Sequence, residues 1–293
     1  MASYKILSID GGGIKGVLAT SVLQRLHDEF GVDIKADLYA GTSTGGIISL
    51  LLAQGKLSVS EIGDMYLKRG HEIFKKNWWA PLTVTGAKYK NTALEKLLQG
   101  MLGSDTVLGD LPGGVLVSSF KLCDGDGWTP RFFTNVPAAG EDCMLKAVDV
   151  ALCTSAAPTY FPSHNGHVDG GVAANNPTMC AIALAAKNGV PLKDIRVLSL
   201  GCGDFRPCIK GDINWGFARW GANLVPLFFG GLDRIPDYQA RAILGDDHYL
   251  RINPRLTDDH GMDEPSWAPA LQELGQHTIL PTNTGAWIQE CWQ

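Results

Sequence analysis

The chain has 293 residues, 45% hydrophobic and 19% charged, enough to build one large buried core. Its formal net charge of -5 argues against a broad nucleic-acid footprint. No apolar run approaches the ~18 residues of a spanning helix, so any membrane contact is expected to be peripheral.

The opening residues Met1–Asp10 enter a strand almost at once, with no apolar leader before it, and a cytoplasmic location is expected. Tyr4–Ile9 is a short apolar run closed by Gly11-Gly12-Gly13 and reads as a strand. Val17, Leu18, Val22, Leu23, Leu26 and Phe30 then recur at helical spacing, which predicts a helix over 14–30. Asp37–Ala40 reads as a second strand, and Ile47–Ala53 as a buried helix after a sharp turn at 41–46. Such a strand–helix–strand–helix unit implies parallel strands and a right-handed crossover.

Thr92 and Glu95 have the spacing of a capping box, predicting a helix from there to about Met101. Val115–Phe120, Arg131–Thr134 and Ile195–Leu200 read as strands, and Met144–Ser155 as a helix. Asn176-Pro177 places a capping residue before a first-turn proline, predicting a helix over 177–188. Beyond Gly201 the pattern weakens into aromatics at 215–229 and loops near 253–266. No repeat or linker interrupts the chain, so one α/β domain over 1–293 is the economical expectation. The seven cysteines form no Cys-x-x-Cys pair and read as buried thiols.

Gly41-Thr42-Ser43-Thr44-Gly45 fits Gly-x-Ser-x-Gly between a predicted strand and a predicted helix. A tight turn there projects a serine hydroxyl clear of the backbone, and the following helix dipole favours developing negative charge. The plainer alternative is that Ser43 only caps the helix. Upstream, Asp10 leads into Gly11-Gly12-Gly13-Ile14-Lys15-Gly16, which also fits a dinucleotide fingerprint. That fingerprint needs an acidic residue near the end of the second strand, where Gly41-Thr42-Ser43 stands instead. An oxyanion hole is the better reading: bare glycine amides beside a candidate nucleophile, with Lys15 docking the loop or facing solvent.

Activating a serine takes a base. None of His27, His71, His164, His167, His248, His260 and His277 stands in a context that marks it as one. Asp169, followed by Gly170-Gly171, is held in a turn with room around its carboxylate; read alone, that tripeptide is simply a turn. Two rivals stay open: a Ser–Asp–His order ending in His248, His260 or His277, and a metal bound by His164, His167 and Asp169.

The glycine loop, the Gly-Thr-Ser-Thr-Gly elbow, the stretch Thr154–Pro162 and Asp169-Gly170-Gly171 together resemble the motifs of patatin-like phospholipases, in the same order. The likeness runs from about Ile6 to Gly203; on it, 204–293 would complete the same domain with helices and loops. The resemblance implies a mostly parallel central sheet sandwiched by helices. It further implies a Ser43–Asp169 dyad, an oxyanion hole from Gly11, Gly12, Gly13 and Ile14, and hydrolysis of glycerolipid acyl esters without metal or cofactor. Many members carry Arg where this chain has Lys15, and plant patatins share the Lys. With an aspartate base, activity is expected to persist in mild acid, where a histidine would be protonated.

Trp78-Trp79, next to Lys75-Lys76, suits a lipid interface, as does the aromatic run from Trp215 to Phe229; core packing is the alternative for both. A lipid-binding or storage protein with secondary esterase activity, and an acyltransferase using the same site, are the competing functions. Oligomeric state has no signature in the sequence.

Overall fold

A computed structural model describes every residue except 1, 2, 34, 76–85, 126, 138, 139, 207, 209, 210, 212, 213, 259, 260 and 293; within 217–230 it describes the side chains of 220 and 227 only. Trp78, Trp79 and His260 therefore lie outside the described residues.

Seven strands form one sheet: β1 (Tyr4–Ile9), β2 (Leu38–Thr42), β3 (Gly114–Lys121), β4 (Thr129–Thr134), β5 (His167–Asp169), β6 (Ile195–Leu200) and β7 (Tyr249–Ile252). The order is β4-β3-β2-β1-β6-β7, with β5 also pairing β3. All neighbours are parallel except β4 and β5, which run antiparallel to β3. Ten helices are described: α1 (Gly16–Phe30), α2 (Thr44–Gln54), α3 (Val59–Ile73), α4 (Asn91–Leu102), α5 (Ala147–Thr154), α6 (Gly171–Ala174), α7 (Thr178–Lys187), α8 (Phe217–Leu244), α9 (Ala268–His277) and α10 (Thr284–Trp292).

The sheet is buried on both faces, which is why its central strands are nearly all apolar. Alternation along β1 shows the two sides: Leu7 and Ile9 join the larger core with α1, α2, α4 and α5, while Ile6 joins Ala181, Ile182 and Ala240 of α7 and α8. Helices on both faces of a mostly parallel sheet are the architecture the sequence led us to expect.

Several boundaries differ from the sequence reading. Residues 13–15 form a 3-10 turn before α1, and α2 begins at Thr44, with Gly45 and Gly46 inside the helix. No capping box forms at Thr92, because α4 already starts at Asn91 without a side-chain cap. The functioning box is Ser58–Glu61 at the head of α3, a helix the apolar spacing had not revealed. Lys146 stands at the N-cap position of α5 without a side-chain cap, behind a separate 3-10 turn over Glu141–Met144. Pro177 occupies the cap position of α7, yet Asn176 still accepts the amide of Thr178 (3.1 Å). No disulfide joins any of the seven cysteines, and only Cys153, Cys202 and Cys291 are buried. Among the described residues no helix is long and apolar enough to cross a membrane.

Candidate active site

Strand β2 ends at Thr42, and Ser43 turns the chain into α2 with φ 54° and ψ -121°. A non-glycine residue held there stores about 1–3 kcal/mol of strain and persists only where its surroundings over-determine it. Here the Ser43 amide donates to Thr154 Oγ1 (2.8 Å), and the Thr154 hydroxyl in turn donates to the Ser118 carbonyl (2.6 Å). The flanking glycines are steric necessities: a Cβ on Gly41 would sit 2.1 Å from the Gly45 carbonyl oxygen, and one on Gly45 would sit 2.2 Å from that of Ile9.

Asp169 reaches Ser43 through strand register. β3 pairs with β4 along one edge over Leu116–Lys121. Its other edge is shared end to end: Ser118 lies opposite Thr42 of β2, and the next residue, Ser119, lies opposite Asp169 of β5. Because β5 runs against β2, the two strand ends meet, and the Ser43 side chain comes near enough to the Asp169 carboxylate to favour its charged form. Asp169 Oδ1 accepts the Gly171 amide (2.7 Å). Burial pushes the Asp169 carboxyl up from 3.8 to about 6, while the nearby Ser43 side chain and the Gly171 amide pull the other way.

The glycine loop lies alongside; a Cβ on Gly11 would come 3.4 Å from that of Ser43. Its amides are unequally occupied. Gly11 donates to the Asn175 carbonyl (3.1 Å) and Ile14 to the Met262 carbonyl (2.8 Å). Among the described residues no acceptor takes the amides of Gly12 and Gly13, and both residues line the same cavity as Ser43 and Asp169. The expected set of four donors thus narrows to these two, because Gly11 and Ile14 spend theirs on holding the loop in place. Below it, Asp10 forms a buried two-pronged pair with Arg251 (3.2 and 2.5 Å), and Arg251 also donates to Ser199 (2.7 Å). Burial pushes Asp10 up to about 7 while the guanidinium pulls against it. Gly16 packs on Thr44, whose hydroxyl donates to Tyr66 (2.5 Å).

The cavity measures about 830 Å³. Helices α2, α3 and α4 and the 157–161 loop give it apolar walls, including Ile47, Met65, Phe74, Leu94 and Phe161. Lys15, the loop after β6 and α8 supply polar ones, including Asp204, Arg206, Asp233 and Arg234. No histidine among the described residues lines it. His248 precedes β7, at the sheet end opposite Ser43; His164 pairs with Asp149 (2.8 Å) rather than converging with Asp169. No metal-holding group of three His, Cys, Asp or Glu occurs among the described residues.

Sequence reading had not singled out Thr154, Asn175, Arg251 or Met262 for these tasks. Arg251 carried a signal, an arginine within an apolar strand run that must find a partner. The clasp by the Met262 carbonyl is made by backbone and had none.

The family model described as "Patatin-like phospholipase" matches residues 7–182. A cGAMP-activated phospholipase of Pseudomonas aeruginosa is 30% identical over 96% of this chain and 85% of its own length. Patatin-like protein 3 of Arabidopsis thaliana is 31% identical over 85% of this chain and 73% of its own. The crystal structure of VipD from Legionella pneumophila shares the fold, with a TM-score of 0.51 at 13% identity, covering 99% of this chain and 67% of VipD. From the family match and the relatives at this identity, the chain belongs to the patatin-like phospholipase family.

Proposed function

We propose that the chain is a lipid acyl hydrolase in which Ser43 and Asp169 act as a catalytic dyad on fatty-acyl esters of glycerolipids. Ser43 Oγ attacks the ester carbonyl carbon as its proton passes to Asp169. The oxyanion that forms accepts hydrogen bonds from the Gly12 and Gly13 amides, each worth about 3 kcal/mol of transition-state stabilisation. Collapse breaks the bond to the alcohol oxygen, which takes the proton from Asp169 and leaves an acyl-serine. Water, deprotonated by Asp169, then releases the fatty acid and restores the serine. The observation that carries this reading is the meeting of β2 and β5 along β3, which sets one hydroxyl against one buried carboxylate. The apolar walls suit an acyl chain.

Burial of Asp169 changes the pH expectation. A base titrating at about 6 is protonated as pH falls through that value, so turnover should decline there instead of persisting into mild acid. A pH profile alone consequently does not separate this base from a histidine.

Treatment with a fluorophosphonate followed by mass spectrometry tests the nucleophile: one adduct on wild type and none on Ser43→Ala are expected. Labelling of the variant would sink the assignment. Release of fatty acid from defined glycerolipids separates hydrolysis from mere lipid storage, and a new ester on adding an acceptor alcohol would mark acyl transfer. The name of the Pseudomonas relative makes cyclic GMP-AMP an additive to include in that assay.

A further inference from the structure

The polar part of the cavity carries cationic groups that the dyad does not use. Arg206 Nε (2.5 Å) and Arg234 Nη2 (2.9 Å) both donate to the single carboxylate of Asp204. Asp204 is itself fixed, its amide bonded to the Pro254 carbonyl and its carbonyl to the Leu256 amide. One carboxylate therefore holds two guanidinium groups together with one positive charge in excess. Each arginine side chain remains more than half exposed, with spare N–H donors at the cavity surface. Lys15 lines the same cavity, next to Gly12 and Gly13, and makes no ion pair among the described residues.

The other acids of the cavity are engaged. Asp237 holds Arg241 (3.2 Å) and Tyr249 (2.9 Å), Asp263 holds Lys88 and Tyr89, and Asp233 accepts from Asn175 (2.6 Å). Asp233, like Asp169, has no cation in contact, and burial favours the neutral form of both.

We propose that Lys15, Arg206 and Arg234 form a phosphate-binding subsite, which takes the phosphodiester of a glycerophospholipid headgroup while the acyl ester lies at Ser43. Paired guanidinium groups match tetrahedral oxyanions through forked, charge-assisted hydrogen bonds, which a neutral glyceride does not engage. The inference rests on the acyl-hydrolase reading for what brings the phosphate there, and it names the headgroup chemistry that reading left open.

The test compares a lysophospholipid with a monoacylglycerol of the same acyl chain, in wild type and in the double variant Arg206→Gln, Arg234→Gln. Wild type should prefer the phospholipid in kcat/KM, and the double variant should lower that preference about tenfold or more. A preference unchanged within about twofold, in a variant whose melting temperature shows it folded, overturns the subsite. If losing both partners of Asp204 prevents folding, Arg234→Gln alone is read by the same ratio, since Arg206 still holds the carboxylate. Titration of the lysophospholipid into Ser43→Ala protein, with and without the arginine changes, reads the subsite independently of turnover. Equal affinity in the two proteins would also overturn it. Wild type that hydrolyses neither lipid, yet binds the phospholipid through these arginines, would refute the hydrolase reading and leave the subsite standing. Competition by inorganic phosphate with no effect of the arginine changes on lipid preference would mean that the cluster takes free phosphate, contrary to the proposal.

Discussion

Asp169→Asn should make the protein more stable while it removes turnover. In the unfolded chain this carboxyl titrates near its ordinary value of 3.8; in the fold, burial raises it to about 6. Well below 3.8 both states are protonated and the site costs nothing. As pH rises, the unfolded chain ionises first, so the folded state loses relative stability up to about pH 6, above which the loss is constant. At about 1.4 kcal/mol per pKa unit, the full penalty is about 3 kcal/mol at pH 8, but only about 1 kcal/mol at pH 4.5. Asparagine does not ionise, and its oxygen can keep the Gly171 amide. At ~2–4 °C per kcal/mol for a chain of this size, the variant should melt about 6–12 °C above wild type at pH 8 and about 2–4 °C above it at pH 4.5. Turnover should fall about 10²–10⁴-fold on losing the base. Thermal unfolding of both proteins at the two pH values is the assay. A gap that does not change with pH, or a variant less stable than wild type at pH 8, would refute the claim that this carboxylate is held at a desolvation cost.

Three further substitutions probe the support of the site. Thr154→Val keeps the shape but strands the Ser43 amide and the Ser118 carbonyl; it should cost about 1–3 kcal/mol per group and lower kcat more than it raises KM, as steady-state kinetics and a urea melt would show. Arg251→Met should cost about 3–5 kcal/mol at pH 8 by leaving Asp10 buried and unpaired, with part of the loss recovered below about pH 7 as Asp10 takes up a proton; denaturant melts at pH 8 and pH 6 check both. Gly41→Ala drives a methyl into backbone that cannot give way, so circular dichroism should find no native fold or a markedly destabilised one without turnover.

Legibility from sequence followed the physics of each segment. The β1–α1–β2–α2 unit was readable because β2 and α2 are buried and α1 buries one face, so that apolar period and glycine punctuation point to the same elements. Helix α8 was not: its 28 residues include Pro226, Pro236 and the pair Gly230-Gly231, each of which signals a break when read locally. Strand β5 was hidden by length, since three residues carry no period, and its pairing with β3 is a long-range contact. The motifs therefore named Ser43 and Asp169 without showing how they meet. Likewise, four residues of the glycine loop looked equivalent as donors, because nothing local foretells that Asn175 and Met262 will occupy two of the amides.

That division of labour within the loop bears on the chemistry proposed for it. A donor helps most when it is already aimed at the place where charge will develop, with no reorganisation needed during reaction. Here the amides on either side of Gly12 and Gly13 are tied to carbonyls from two separate segments, so the loop is pinned at both ends of the free pair. Ser43 is pinned in the same manner, by a hydrogen bond from its amide to Thr154 Oγ1 that holds a backbone conformation serine does not adopt unaided. On the proposed mechanism, the hydroxyl and the donors are thus positioned by hydrogen bonds that take no part in the reaction, and no histidine among the described residues lines the cavity beside them. The base on that proposal is the carboxylate itself, and its burial, the cause of its raised pKa, fits it to accept a proton near neutral pH.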